Sequence, residues 1–196
     1  MRSLFLALLS APLLAFAGAQ QYEPLADSVR ARLSAVIADK AVPVLSFRSA
    51  ADANRWLQAM EQRLARRIPD REQRLRLLRT VHYEATRAGL DPQLVLGVLE
   101  VESGFRKYAV SRAGARGYMQ VMPFWVKLIG HRSHNLFHLR TNLRYGCVVL
   151  RHYLDIEKGD YFRALGRYNG SLGRPEYPNL VFGAWHGRWK YDGPTT

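Results

Sequence analysis

The sequence of 196 residues has little cysteine, few acidic residues and no long hydrophobic run. Its single cysteine, Cys147, cannot form an internal disulfide and supplies too few thiolates for a cysteine-built zinc site. Acidic residues number 16 against 29 Lys and Arg, which gives a net charge of +13. So basic a chain favours anionic partners, such as nucleic acid, an acidic membrane surface or an acidic cell-wall polymer.

The composition is that of a folded protein. Hydrophobic residues make up 48% of the chain and aromatic residues 11%, which is enough to build a core and excludes disordered and fibrous classes. The length predicts one domain with a small helical appendage.

The amino terminus has the layout of a secretory signal peptide. Arg2 precedes an apolar stretch of about 14 residues, shorter than the roughly 20 of a transmembrane helix. Small residues follow at 17–19, so we predict a signal peptide over 1–19, with cleavage after Ala19. An uncleaved anchor or an amphipathic terminal helix is the alternative. We expect export to the periplasm or cell wall, with no stable membrane insertion after cleavage. Export argues against nucleic acid as a partner, and we expect none.

Hydrophobic spacing predicts an all-α fold. Residues 24–88 form a series of helices interrupted near Pro43, and Asp91 and Pro92 begin a helix that ends at Gly104. We expect the last 28 residues to be irregular, with aromatic rings that pack on the core or line a carbohydrate groove. Further helices are predicted over 119–129, 141–157 and 160–168.

One carboxylate in the helix over 92–103 has an unusual position. At the helical period, Glu102 falls near the middle of an apolar face, whereas Glu100 points to the opposite side. Burial and the negative end of the helix dipole both favour the protonated form of Glu102, as a general acid near neutral pH requires. The alternative is a buried glutamate neutralised by one of the many arginines.

The segment after Glu102 lacks any second acid. No Asp or Glu occurs from Ser103 through Leu154. A two-carboxylate glycosidase needs a second acid about 5–10 Å from the first. Only Asp155, Asp160 or Glu176 could supply it by folding back, so a catalytic Glu102 is expected to work nearly alone.

Several short motifs occur in a fixed order between residue 80 and about 172. They are GLDP at 89–92, VESGF at 101–105, AVSRAGARGYMQVMP at 109–123, Asn142-Leu143 and ALGRYNG at 164–170. Together they resemble the catalytic domain of the soluble lytic murein transglycosylases. The resemblance covers under half of the chain and implies a lysozyme-like helical fold.

The resemblance also implies a reaction. The family cleaves the MurNAc to GlcNAc β-1,4 bond of peptidoglycan without water and leaves a 1,6-anhydro product. Glu102 matches the family's single catalytic acid, and no metal or cofactor is implied. The six histidines form no dense metal-ligand pattern.

Four further positions receive roles from the resemblance. Ser111 matches a serine near the acid and the substrate, Gln120 and Met122 match groove-lining residues, and Tyr168 matches a tyrosine whose hydroxyl contacts the glutamate. Each has a structural alternative: Ser111 organises the loop, Gln120 satisfies a buried amide, Met122 belongs to the core and Tyr168 is a packed ring. Asn169, grouped with the substrate-binding positions, is expected mainly to hold a turn.

The sequence thus predicts four segments: the signal peptide over 1–19, an amino-terminal helical extension over 20–79, the catalytic domain over 80–172, and an aromatic, Gly- and Pro-rich tail over 173–196 packed on that domain. Two other functions stay open, a hydrolytic muramidase of lysozyme type and a non-catalytic wall-binding scaffold. The expected partners are peptidoglycan strands, with cell-wall or secretion-machinery proteins as further candidates.

Overall fold

The computed structural model describes residues 20–38, 41 and 44–193, so the predicted signal segment lies outside the described residues. These residues contain no β-strand and only two isolated bridges, and the predicted all-α fold is confirmed. The helices are α1 Asp27–Ala38, α2 Ala50–Leu64, α3 Arg71–Arg87, α4 Pro92–Ser103, α5 Phe124–Ile129, α6 Leu139–Ile156, α7 Tyr161–Asn169 and α8 Glu176–Gly183, which continues into a π-helical turn, Ala184–Arg188.

Polar side chains set the start of several helices. The Asp91 carboxylate accepts a hydrogen bond from the backbone N–H of Gln93 at 2.7 Å, and Pro92 occupies the first helical position. Gly104 ends α4 in the left-handed conformation, at φ 57°. The predicted limits of α4 are therefore confirmed, and they place Glu102 in its last turn.

The predicted helix over 119–129 is wrong in its first half. The backbones of Arg116 and Val121 exchange hydrogen bonds of 3.0 and 3.1 Å, and Gln120 has a positive φ of 48°. This arrangement is incompatible with a helix, so α5 begins only after Pro123. Residues 109–123 instead form a compact loop, called the glycine loop below.

The sequence predicted an irregular carboxyl-terminal region, and this prediction is wrong. The region forms α8 and the π-helical turn, and both pack on α4. Gly97 of α4 allows this approach, because a Cβ there would lie 3.3 Å from the backbone nitrogen of Trp185. Tyr177 and Trp189 are 2% and 0% exposed, so this region completes the core around α4.

The amino-terminal helix α1 is fastened to the rest of the molecule by arginines. Arg87 of α3 and Arg144 of α6 donate to the backbone carbonyls of Val36 and Ile37, at 3.0 and 3.2 Å. Both arginines also contact the buried carboxylate of Glu84. Among the described residues, no helix is long and apolar enough to cross a membrane.

Candidate active site

Glu102 is buried at the end of α4, where only 9% of the residue is exposed. The Tyr177 hydroxyl donates a hydrogen bond of 2.7 Å to its Oε1 atom. Within the described part of the chain, no Lys, Arg or His forms an ion pair with Glu102. The arginine-neutralised alternative is therefore not what the structure shows for this glutamate.

Burial controls the protonation of this carboxyl group. It raises the pKa of Glu102 from its ordinary value of 4.5 to about 8, because the apolar surroundings penalise the charged form. The Tyr177 hydrogen bond acts in the opposite direction, since it stabilises the carboxylate. Glu102 is thus a neutral acid at pH 7. The Tyr177 hydroxyl is in place to stabilise the carboxylate when the proton leaves.

The glycine loop is tied to the helices around Glu102. The hydroxyl of Ser103, next to Glu102 in the chain, donates to the Tyr118 carbonyl at 2.8 Å. Asn142 of α6 accepts from the Met119 backbone N–H at 2.8 Å and donates to the carbonyl of Arg116 at 2.8 Å. A Cβ at Gly117 would lie 2.5 Å from Nδ2 of Asn142, so only glycine fits there.

The predicted contact between Tyr168 and Glu102 is wrong. The Tyr168 hydroxyl donates instead to the Met119 carbonyl at 2.7 Å. The Glu102 charge nevertheless contributes to raising the pKa of Tyr168, after the larger effect of burial, so the two groups are electrostatically coupled. Tyr168 therefore holds the glycine loop beside the acid, while Tyr177 makes the direct contact.

Gln120 and Ser111 stabilise the glycine loop from within. The Gln120 side chain, in a residue 6% exposed, donates to the carbonyls of Ala109 and Gly117 at 3.1 and 3.0 Å. The Ser111 hydroxyl accepts from the Ala115 backbone N–H at 3.1 Å. These contacts match the structural roles that the sequence left open for both residues.

Met122 and Asn169 occupy less central places. Met122 is partly buried and packs against the hydrophobic core, and its backbone N–H is held by the Gln20 side chain. Asn169 is 3% exposed and ends α7, where Gly170 adopts the left-handed conformation. Gln120 and Met122 thus belong to the glycine loop that the Tyr168 hydroxyl contacts through the Met119 carbonyl.

Sequence reasoning missed Tyr177, which lies in the region predicted to be irregular. No motif identified it, because its ring looked like one of several that pack a tail on the core. The only available indication was general: a buried carboxyl group without an arginine needs another polar partner. The structure supplies that partner from α8.

The other candidate acids are engaged elsewhere. Asp155 pairs with Arg151 at 2.8 Å, and Asp160 accepts from the Arg163 backbone N–H at 3.0 Å as the cap of α7. Glu176 is exposed at the start of α8. None of these three carboxylates contacts Glu102 directly.

Glu100 lies on the other side of α4 from Glu102, as predicted. Its carboxylate accepts from the Trp189 indole at 2.7 Å and from Arg67 at 2.5 Å. Glu100 thus links Trp189 to α4. Across the described residues, no three His, Cys, Asp or Glu side chains are grouped so that they could hold a metal ion.

Comparison with known proteins gives one family. The family model of the transglycosylase SLT domain matches residues 79–177, about half of the chain, and this range includes both Glu102 and Tyr177.

Curated relatives share shorter segments. A 39-residue segment is 59% identical to the membrane-bound lytic murein transglycosylase C of Actinobacillus pleuropneumoniae serotype 5b, covering 20% of this chain and 11% of that protein. The transglycosylase of Enterobacteria phage PRD1 is 34% identical over 98 residues, or 50% of this chain and 36% of the phage protein. The chain thus matches only a tenth to about a third of the length of these relatives.

A solved structure is also similar to part of this chain. It is an inactive mutant of the lytic transglycosylase Slt from Pseudomonas aeruginosa, 23% identical, with a TM-score of 0.43. The similarity covers 58% of this chain and 20% of that one.

Proposed function

Because the chain belongs to the family of transglycosylase SLT domains, we propose that it is a peptidoglycan lytic transglycosylase with Glu102 as its single acid and base. The observation that carries this proposal is the buried Glu102, whose pKa of about 8 keeps it protonated at neutral pH. The family match confirms the resemblance read from the sequence motifs.

The reaction needs one proton donor that later accepts a proton. Neutral Glu102 protonates the glycosidic oxygen between MurNAc and GlcNAc, and the bond from that oxygen to C1 of MurNAc breaks. The resulting carboxylate removes the proton from the C6 hydroxyl of the same MurNAc, and O6 bonds to C1. The products are a 1,6-anhydroMurNAc end and a free GlcNAc hydroxyl, and Glu102 is neutral again.

This sequence of steps explains why one acid suffices. The nucleophile belongs to the substrate, so no second carboxylate has to position a water molecule, and intramolecular attack benefits from proximity. Asp155 and Asp160 are held in ion-pair and capping contacts, which agrees with a mechanism that does not use them.

Tyr177 stabilises the carboxylate form of Glu102, which exists between the two proton transfers. Its hydroxyl already donates to Oε1 of Glu102, and this hydrogen bond strengthens when the carboxylate forms. The donor thereby reduces the free-energy difference between the two protonation states, which an acid that also acts as a base requires. We assign Tyr177 this supporting role.

Ser111, Gln120 and Met122 lie in the glycine loop, and the Tyr168 hydroxyl contacts this loop. We propose that Gln120, Met122 and Tyr168 line the glycan groove beside Glu102, together with Ser111 and Asn169 at its edge. We also propose that the protein acts outside the cytoplasm, in the periplasm or cell wall, where its excess of Lys and Arg attracts the carboxylates of wall peptides.

The test compares Glu102→Gln with a matched control, Glu176→Gln, on purified sacculi. Glu102→Gln keeps the size and hydrogen-bonding capacity of the side chain but removes the acid, so we expect release of anhydro-muropeptides to fall about 10²- to 10⁴-fold. Glu176→Gln should retain the parent rate, because Glu176 is exposed at the start of α8.

Mass spectrometry of the products separates the mechanisms. A transglycosylase leaves an anhydro ring, lighter by one water than the reducing end left by a muramidase. Reducing-end products and loss of activity in Glu176→Gln would support hydrolysis with two acids. Unchanged anhydro product from Glu102→Gln would overturn the role of Glu102.

A further inference from the structure

A cleft lies at the end of α4 opposite to Glu102, where the turn between α3 and α4 faces the segment ahead of α2. Its volume of about 510 Å³ falls within the roughly 300–1,000 Å³ of small-ligand sites. It is lined by the residues of the turn together with Ser46, His82, Thr86 and Asp91. Its rim at Pro92 lies ten residues before Glu102 on α4, a distance of about 15 Å along the helix axis. This α4 cleft is therefore separate from the candidate active site.

His82 gives the α4 cleft a buried polar side chain without a partner. It is 1% exposed, and among the described residues neither of its ring nitrogens forms a hydrogen bond. Phe47 stacks on the ring with centroids 4.3 Å apart, and Trp56 packs edge-on at 5.1 Å. Burial lowers the pKa of His82 from 6.5 to about 4, so the neutral ring has one donor and one acceptor nitrogen. Such a group favours a ligand that supplies the missing hydrogen bonds.

Asp91 gives the α4 cleft a negative charge. Its carboxylate accepts from the Gln93 backbone N–H at 2.7 Å and from the Trp185 indole at 2.8 Å. Glu100, at the other end of the same helix, pairs with two arginines, whereas no described Lys, Arg or His forms an ion pair with Asp91. The helix dipole favours one anion at this end, and Asp91 already supplies it. The cleft therefore disfavours a second anion and favours a cation.

Two hydroxyl groups extend the hydrogen-bonding surface of the α4 cleft. Thr86 lies one helical turn after His82, and its Oγ1 donates to the His82 carbonyl at 2.7 Å, so its lone pairs are left to accept from a ligand. Ser46 is exposed at the other side of the cleft. A primary ammonium group has three N–H donors and no acceptor. It therefore matches a lining that offers a carboxylate, a hydroxyl oxygen and an imidazole nitrogen as acceptors.

We propose that the α4 cleft binds the side-chain ammonium group of a diamino acid in a wall peptide. Asp91 accepts from the ammonium group, and the neighbouring peptide amide pairs with His82. The inference rests on the proposed function, because peptides of the wall that are not cross-linked carry free amino groups on their diamino acids. An extended peptide of four residues spans about 13–14 Å, which is comparable with the length of α4 between the cleft and Glu102. A glycan at Glu102 and its peptide at the cleft can then be held together.

The experiment compares two synthetic peptides that differ only in one ammonium group. Both contain alanine, γ-linked D-glutamate, lysine and D-alanine and are acetylated at the amino terminus, and in one of them the lysine amine is acetylated as well. Calorimetry with the unaltered protein should show about tenfold tighter binding of the peptide with the free amine, because a charge-assisted hydrogen bond is lost on acetylation. Equal affinity for the two peptides overturns the proposal.

Cadaverine separates a wall peptide from a free diamine as the source of the ammonium group. It carries the same amine without a peptide amide, so it should bind more weakly than the free-amine peptide. Equal affinity for cadaverine and the peptide would reject the wall peptide as the ligand.

A pair of variants locates the charge that binds the amine. Asp91→Asn keeps an N-cap and an acceptor for Trp185 but removes the negative charge, so the free-amine peptide should bind about tenfold more weakly. The matched control is Asp70→Asn, the same change at the cap of α3, whose carboxylate accepts from the Gln73 backbone N–H at 2.7 Å. This control should bind like the parent. Unchanged binding in Asp91→Asn overturns the proposal.

Nuclear magnetic resonance of the His82 imidazole tests whether the peptide occupies the α4 cleft. The ring nitrogen signals should move when the free-amine peptide is added, and signals that stay in place while the peptide binds overturn the cleft as its site. None of these measurements needs glycan cleavage. A protein that binds the peptide but releases no anhydro products would keep the cleft and lose the proposed function, and an active protein that does not bind the peptide would do the reverse.

Discussion

Two buried glutamates in this molecule have opposite surroundings. Glu84 of α3 is 1% exposed and contacts three guanidinium groups, those of Arg87, Arg140 and Arg144, at 3.1 to 3.3 Å. Glu102 of α4 is 9% exposed, and among the described residues its carboxyl group forms one hydrogen bond, with the hydroxyl of Tyr177. The chain is rich in arginine, yet none of the described arginines forms an ion pair with Glu102.

The difference separates a carboxylate held in ion pairs from a buried acid that keeps its proton. Arginines compensate the cost of burying the Glu84 charge, and the same arginines hold the end of α1. At Glu102 the burial cost is met by keeping the proton, since a buried acid without a cation stays neutral. A high net positive charge therefore does not prevent a protein from maintaining a neutral acid.

The largest expected effect of breaking this comparison is on stability. Glu84→Gln leaves buried guanidinium charge without its counterion, so we expect the free energy of unfolding at pH 7 to fall by about 3–5 kcal/mol. Urea denaturation followed by circular dichroism measures the loss. A decrease below about 1 kcal/mol would show that the arginines around Glu84 do not need it.

Glu102→Gln is the matched control for that measurement. Glu102 has a pKa of about 8 in the folded state against 4.5 ordinarily, so the folded protein binds more protons between these pH values. The contribution of Glu102 to the free energy of unfolding therefore falls as pH rises from 4.5 to 8. Glu102→Gln should match the parent at pH 4.5 and exceed it at pH 8, whereas Glu84→Gln should be less stable than the parent at pH 7.

A smaller effect is expected at the hydrogen bond between Tyr177 and Glu102. Tyr177→Phe removes a hydrogen bond that lowers the Glu102 pKa, so this pKa should rise further. Because the reaction begins with protonated Glu102, the alkaline limb of the pH–rate profile should move up by about one pH unit. The profile is recorded on sacculi from about pH 5 to about pH 10.

Tyr168→Phe serves as the control for this profile. The Tyr168 hydroxyl donates to the Met119 carbonyl, so its removal should lower the rate without moving the alkaline limb. A limb that moves in Tyr168→Phe and stays in Tyr177→Phe would reverse the assignment of the two tyrosines.

The sequence predicted the local setting of Glu102 well. Asp91, Pro92 and Gly104 define both ends of α4 by local backbone chemistry, so the position of Glu102 in the last turn followed directly. Its burial followed from the helical period of the neighbouring apolar residues. These are short-range properties, and they need no knowledge of the tertiary structure.

The partners of both glutamates could not be read from the sequence. Arg144 lies 60 residues from Glu84, and Tyr177 lies 75 residues from Glu102. Pro178, Gly183 and Gly187 also made α8 and its π-helical turn look irregular, although packing against α4 overrides their low helix propensity. The sequence therefore could not show that Tyr177, rather than Tyr168, reaches the acid.

The central claim is that Glu102 stays protonated at neutral pH because it is buried and none of the described cationic side chains pairs with it. Carbon-13 magnetic resonance of the glutamate side-chain carboxyls, with the Glu102 signal identified by its absence in Glu102→Gln, measures this directly. The account predicts a titration midpoint for Glu102 near pH 8. A midpoint near the ordinary value of 4.5 would contradict it and remove the physical basis for Glu102 as a single acid and base.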